Sequence, residues 1–140
     1  SYDTVLRRCS YILNEQYINF FINQAKELTK KDKIEFHDNY EKNLETIRIL
    51  RRKYGITHDD IIDEVKDLIL DLKIEDYYQG PDNDDNPSRN YIFWKFGKKL
   101  FGSEELYIKL QIEEIKEEKL VCWSFHYPER PIKYPKKVEG

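Results

Sequence analysis

Hydrophobic positions along this chain repeat with one period as far as Leu72 and with another after Tyr91. In the first part they recur at i, i+3 and i+4, the spacing that keeps side chains on one face of a helix. Tyr17, Phe20, Phe21, Gln24 and Leu28, widened by Ile18, Ile22 and Ala25, predict a helix over about 14–30 with Asn14 as its N-cap. Leu44, Ile47, Leu50 and Arg51 predict a second helix over about 39–54. Arg51, Arg52 and Lys53 suit the negative end of its dipole, and Gly55 suits the residue just past its end. Thr57 followed by Asp60 reads as a relative of the capping box. It opens a third helix over about 58–72 that buries Ile61, Ile62, Val65, Leu68, Ile69 and Leu72. Ahead of these, Val5, Leu6, Ile12 and Leu13 allow a short separate helix within an extension over residues 1–16.

After Tyr91 the alternation is that of strands, whose successive side chains point to opposite faces. Leu106, Ile108, Leu110 and Ile112 face a core, leaving Tyr107, Lys109 and Gln111 on the other side. Between Leu120 and His126 the bulky set is Val121, Trp123 and Phe125, with Cys122, Ser124 and His126 opposite. Lys95 shares a face with Tyr91 and Phe93. Strands are therefore expected over about 90–98, 104–114 and 119–127, joined by turns at Phe101-Gly102-Ser103 and at 115–118. Ile34-Glu35-Phe36-His37 adds one short edge strand, residues 80–90 read as a loop, and the prolines at 128, 131 and 135 keep the tail 128–140 extended. The pattern as a whole is α+β. It is one domain over residues 1–140, with about three helices on one face of an antiparallel sheet.

Composition narrows the function. At 140 residues the chain buries roughly two thirds of its unfolded surface. No apolar run is long enough to span a membrane and no signal-peptide pattern occurs. Cys9 and Cys122 fit no metal-ligand spacing and are too few for a disulfide framework, so a cytoplasmic location is expected. The net charge of −3 is uneven: residues 1–57 carry 11 Lys and Arg against 8 Asp and Glu, residues 58–89 carry 3 against 11, and residues 90–140 carry 10 against 8. A general nucleic-acid binder is basic overall, so any RNA contact belongs to a local patch. The five glycines are too dispersed for a phosphate loop, and the three histidines are far apart. Asp82, Asp84 and Asp85 fail as a calcium loop, because Pro87 and Phe93 stand where the turn glycine and the final carboxylate belong. Ser124 shares a face with His126 but lacks the strand–turn–helix setting of a hydrolase nucleophile.

What remains is a sheet face that gathers Tyr107, Lys109, Lys95 and His126. The plain alternative is an exposed face sheltered by Lys and Tyr stems. The functional alternative is cleavage of RNA by attack of a ribose 2′-OH on the adjacent phosphate. That reaction needs a base, an acid and cations for the crowded phosphorane, and Lys, His and Tyr supply them without a metal. Aromatic faces also stack unpaired bases.

Asp76-Tyr77-Tyr78-Gln79-Gly80-Pro81, then Trp94-Lys95-Phe96-Gly97-Lys98, Leu106-Tyr107-Ile108-Lys109-Leu110, Ser124-Phe125-His126, Pro131 and Tyr134-Pro135 together resemble the MqsR (motility quorum-sensing regulator) family of type II toxins. The similarity runs over about residues 17–137 and takes in Glu41-Lys42-Asn43-Leu44-Glu45-Thr46 and Gly55-Ile56-Thr57. It implies a RelE-like fold and a ribosome-independent, metal-independent mRNA endoribonuclease checked by a cognate antitoxin. Its implied partners are mRNA and that antitoxin, with no cofactor, no membrane and no DNA contact by the toxin itself. Tyr107 and Lys109 match the family's Tyr-x-Lys strand, and His126 matches the basic residue after Ser-Phe. Tyr78 matches the second aromatic of the Asp-aromatic-Tyr motif. Some members carry Lys where this chain has Gln79, and Gln where it has Lys95. The implied catalytic set is His126, Lys109, Tyr107 and Lys95, and the implied RNA-binding set is Tyr78, Gln79 and Lys98. A non-catalytic module that binds RNA or antitoxin, and a ribosome-dependent nuclease of the same fold, stay open beside it.

Overall fold

The computed structural model describes the backbone of residues 2–138 and the side chains of residues 14–138. In chain order the elements are α1 (Tyr2–Lys30), β1 (Ile34–Phe36), α2 (Glu41–Tyr54), α3 (His58–Leu70), a 3₁₀ turn (Ile74–Asp76), β2 (Tyr77–Asn83), β3 (Ile92–Leu100), β4 (Glu104–Glu113) and β5 (Lys119–His126). The fold is α+β, and the described residues form three α-helices and one five-stranded sheet in the order β1-β5-β4-β3-β2.

Local signals explain most of the boundaries. Helix α1 runs unbroken through Asn14, so neither the N-cap at that position nor a separate helix before it is present. The side chains of Val5, Leu6, Ile12 and Leu13, and that of Cys9, lie outside the described residues. At its other end, Lys33 N–H donates to Leu28 C=O (2.8 Å) and Asp32 N–H to Thr29 C=O (3.1 Å), with Asp32 at φ 58°. That pair of bonds satisfies carbonyls a helix end leaves orphaned. Helix α2 starts later than expected, after Tyr40, and stops at Gly55, whose φ of 65° is the left-handed conformation glycine adopts without penalty. The capping box at α3 is complete: Thr57 Oγ1 accepts from Asp60 N–H (3.1 Å), and the Asp60 carboxylate accepts from Thr57 N–H (3.0 Å). Phe101 and Gly102, both at positive φ, are the central pair of a turn closed by Ser103 N–H donating to Leu100 C=O (3.2 Å), and residues 101–103 join β3 to β4, where Leu100 pairs with Glu104.

All three helices contribute to a single core against one face of the sheet. Ile18, Phe21, Ile22, Ala25 and Leu28 of α1, Ile47 and Leu50 of α2, and Ile61, Val65 and Ile69 of α3 pack with Phe96, Leu106, Ile108, Leu110 and Phe125. Tyr17 and Phe20, expected on the buried side of α1, turn outward and are 65% and 63% exposed. The core stripe begins at Ile18 instead, and one residue along a helix is a rotation of about 100°.

Two expectations about the sheet are corrected. It is mixed rather than antiparallel, because β1 pairs parallel with β5 (Ile34 with Leu120, Phe36 with Cys122). The stretch expected as loop from residue 80 begins inside a strand: β2 pairs antiparallel with β3 through two register shifts. Its Gly, Pro, Asp and Asn residues show no alternation, so backbone pairing to an existing edge creates this strand.

Candidate functional site

The sheet face away from the helices takes its chemistry from the register of three strands. Gly97 lies opposite Tyr107, Lys95 opposite Lys109, Tyr107 opposite His126, and Lys109 opposite Ser124. Beyond Lys109 the register slips, with Leu110 opposite Cys122 and Trp123 left over as the extra residue of a bulge. The slip reverses the phase expected for β5. Cys122 joins Phe125 in the core, while Val121 and Trp123 pass to the face that carries Ser124 and His126. Trp123 there stacks on His37, ring centroids 3.9 Å apart, and its indole N–H donates to Gln111 Oε1 (2.7 Å).

Past the bulge, β5 no longer has β1 as a neighbour, and α2 takes over that edge. Asn43, fully buried, donates from its amide to the carbonyls of His37 (2.8 Å) and Trp123 (3.0 Å) and accepts from Phe125 N–H (2.9 Å). Thr46 Oγ1 accepts from Tyr127 N–H (3.1 Å). Two polar side chains of a helix thus stand in for a strand backbone on either side of His126.

A hollow of about 280 Å³ opens over this end of the sheet, lined among others by Tyr40, Tyr78, Tyr107, Lys109, Ser124 and His126. Its far wall is the tail from Pro128 to Ile132. Gly97 lets the tail close down: a Cβ there would stand 2.5 Å from Tyr134 Oη. Tyr134 is tied in turn to Glu105 (2.8 Å). The rings of Tyr107 and His126 are 5.3 Å apart, those of Tyr78 and Tyr107 6.4 Å, and those of Tyr40 and His126 6.1 Å.

Burial tunes these groups. His126 is held below the ordinary histidine value of 6.5, first by burial and then by Lys42 and Lys109, against the opposing bond to the Tyr127 carbonyl. That bond joins Nδ1 to an oxygen that only accepts (2.9 Å), so Nδ1 carries the proton and Nε2 of the neutral ring is the free base. Tyr107 is pushed up to about 12 by burial and by Tyr78 and Asp82, which keeps its hydroxyl a donor. Lys109 is lowered by burial and by neighbouring Lys95, and its ammonium lies 4.3 Å from the centroid of the Phe93 ring. A base, a hydroxyl donor and a lysine with a loosened proton therefore converge on one hollow.

The remaining expected residues are distributed differently. Tyr78 lines the hollow, whereas Lys95 sits beyond it, paired with Asp82 (3.0 Å). Gln79 is exposed on the edge strand β2, across from Lys95, and lines no part of the hollow. Lys98 is not on this face: its register partner is the core residue Leu106, and its ammonium is held by Asp76 (2.8 Å) and Asp71 (3.2 Å). Burial works against the Lys98 charge, but hydrogen bonds to those carboxylates raise its pKa on balance. Alternation alone would have excluded it, since Lys98 lies an odd number of residues from Lys95.

Several lining residues were not legible from the sequence. Tyr40 directly precedes α2 and reads there as part of a helix start, and Lys42, ion-paired with Glu129, reads as ordinary helix surface. Asp82 and Asp84 have the look of loop residues, yet Asp82 neutralises Lys95, and Asp84 and Asp85 partly offset the lowering of the Lys109 pKa. Among the described residues, no group of three or more His, Cys, Asp or Glu side chains is placed to hold a metal ion, and no helix is long and apolar enough to cross a membrane.

Comparison with protein-family models, curated proteins and solved structures finds no match to the chain.

Proposed function

We propose that this protein is an endoribonuclease that cleaves single-stranded RNA without a metal, acting as the toxin of a type II toxin–antitoxin pair. The chemistry rests on one observation: a neutral imidazole with Nε2 free, a phenol held protonated and a lysine of lowered pKa line the same hollow. The toxin role, the mRNA substrate and the antitoxin rest on the resemblance to the MqsR family.

In the reaction, His126 Nε2 takes the proton of a ribose 2′-OH as its oxygen attacks the adjacent phosphorus. The bond from phosphorus to the 5′-oxygen breaks, and that oxygen takes a proton from the Lys109 ammonium. The Tyr107 hydroxyl donates to a non-bridging oxygen of the phosphorane, and Tyr78 and Tyr40 border the path of the chain. The products are a 2′,3′-cyclic phosphate and a 5′-hydroxyl. His126 is left protonated and Lys109 neutral, and exchange with solvent resets both. Lys95, neutralised by Asp82, contributes to the field of the face rather than to the hollow itself.

The test is incubation of a defined single-stranded RNA with pure protein, without ribosomes and with a chelator, followed by analysis of the ends. Cleavage to cyclic phosphate is expected. His126→Ala should lower it by about a hundredfold, and Lys109→Ala should cost about 3 kcal/mol of transition-state stabilisation. RNA bound tightly and left intact by the unaltered protein would make this a binding module instead, and cleavage only with ribosomes added would make it ribosome-dependent.

A further inference from the structure

A second hollow, of about 390 Å³, adjoins the first and shares Tyr40, Lys109 and Ser124 with it. Its own walls are His37, Asn39 and Trp123. From these residues we infer that it is a nucleobase subsite, taking the unpaired base next to the phosphate bound at Lys109. The inference deepens the ribonuclease reading and rests on its premise that the face binds a phosphate.

Three features make the occupant a base. Flat rings surround the space: Tyr40 is 43% exposed, and His37 and Trp123 form a stacked pair. That pair is rigid, because Tyr91 and Phe93 brace Trp123 from the sheet (5.6 and 6.1 Å between centroids) and Gln111 holds its indole N–H. Stacking of this kind accepts any base, since every base has a π face. Second, Asn39 supplies an exposed amide just ahead of α2, and Tyr40, the N-cap residue, makes no side-chain capping bond that would draw its ring away. An amide offers a donor and an acceptor side by side, which is what the hydrogen-bonding edge of an unpaired base presents. Third, the two hollows meet at Lys109 and Ser124, so a ligand lying across both places its anion at Lys109 and a flat ring beside Tyr40. A nucleotide has that combination of groups, whereas a bare phosphate fills only the first hollow.

The experiment titrates the protein with each of the four nucleoside 3′-monophosphates, with ribose 3-phosphate as the baseless control. It follows the Trp123 indole N–H resonance and the dissociation constants. At least one nucleotide should bind about tenfold tighter than ribose phosphate and shift the Trp123 signal, the gain expected of one stacked base. Asn39→Ala should remove much of that gain while leaving ribose phosphate binding unchanged, and Tyr40→Ala, whose ring lines both hollows, should weaken nucleotide binding more than ribose phosphate binding. Both side chains are exposed, so the variants should fold, and a parallel melt checks this. Equal affinities for nucleotides and ribose phosphate, or equal weakening of both in Tyr40→Ala, would overturn the subsite. Base-dependent binding without RNA cleavage would uphold it and defeat the nuclease reading. No binding of any of these ligands would defeat both.

Discussion

His126 is set by two opposing demands. Its Nδ1–H is satisfied by the Tyr127 carbonyl, while its burial beside Lys42 and Lys109 disfavours the charged ring. The folded pKa therefore lies below 6.5, and the imidazole is neutral at pH 7. For a base that must be neutral, the rate of single-turnover cleavage should fall on acidification, with its acid limb below pH 6.5 rather than at it. The same shift bears on stability. A histidine whose folded pKa is depressed takes up its proton first in the unfolded chain, so stability is lost as pH falls from 6.5 through the folded pKa. His126→Gln should remove that part of the acid sensitivity. Melts at pH 7.5 and at roughly pH 5 check it: an equal drop in the unaltered protein and the variant would mean that His126 is not desolvated.

At the scale of elements, the site depends on how β5 is held on its outer side. β1 reaches only as far as Cys122, and the bulge at Trp123 would otherwise leave the strand's next donors and acceptors unpaired inside the molecule. Asn43 closes two of those bonds from α2, at Trp123 C=O and Phe125 N–H, and Thr46 a third at Tyr127 N–H, while Asn43 also holds the His37 carbonyl. Buried groups stripped of a partner cost about 1–3 kcal/mol each. Asn43→Ala should accordingly lower stability by about 3 kcal/mol, and because Phe125 N–H loses its anchor, the His126 ring signals should shift. A denaturant titration and a spectrum of the histidine ring protons test the two effects together. A loss of stability without any change at His126 would mean that β5 keeps its course unaided.

Across the whole molecule, the sheet separates a core from a chemical face, and two aromatic residues measure the difference. Phe96 is fully buried under the helices, in contact with Phe21 and Tyr77, and its replacement by Ala should cost about 3–5 kcal/mol. Trp123 is half-buried on the opposite face, where it loses less apolar area, and Trp123→Ala should cost about 1–3 kcal/mol. Thermal or denaturant unfolding of the two variants ranks them, and a greater loss at Trp123 would contradict the division. Sequence periodicity alone determined three helical segments and the strands that follow Tyr91, because helical and strand repeats depend only on which side chains of a segment share a face. It also determined the facing of β4, where Leu106, Ile108, Leu110 and Ile112 alternate with Tyr107, Lys109 and Gln111. Tertiary structure alone decided the rest. The bulge that turns Cys122 inward and Trp123 outward arises from pairing β5 to β4, and β2 exists only because β3 offers it an edge. Tyr40 and His126 come together because α2 is bonded to β5, across 86 residues of chain. Spacing within a segment carries no information about such contacts, which are set by packing and backbone hydrogen bonding between segments.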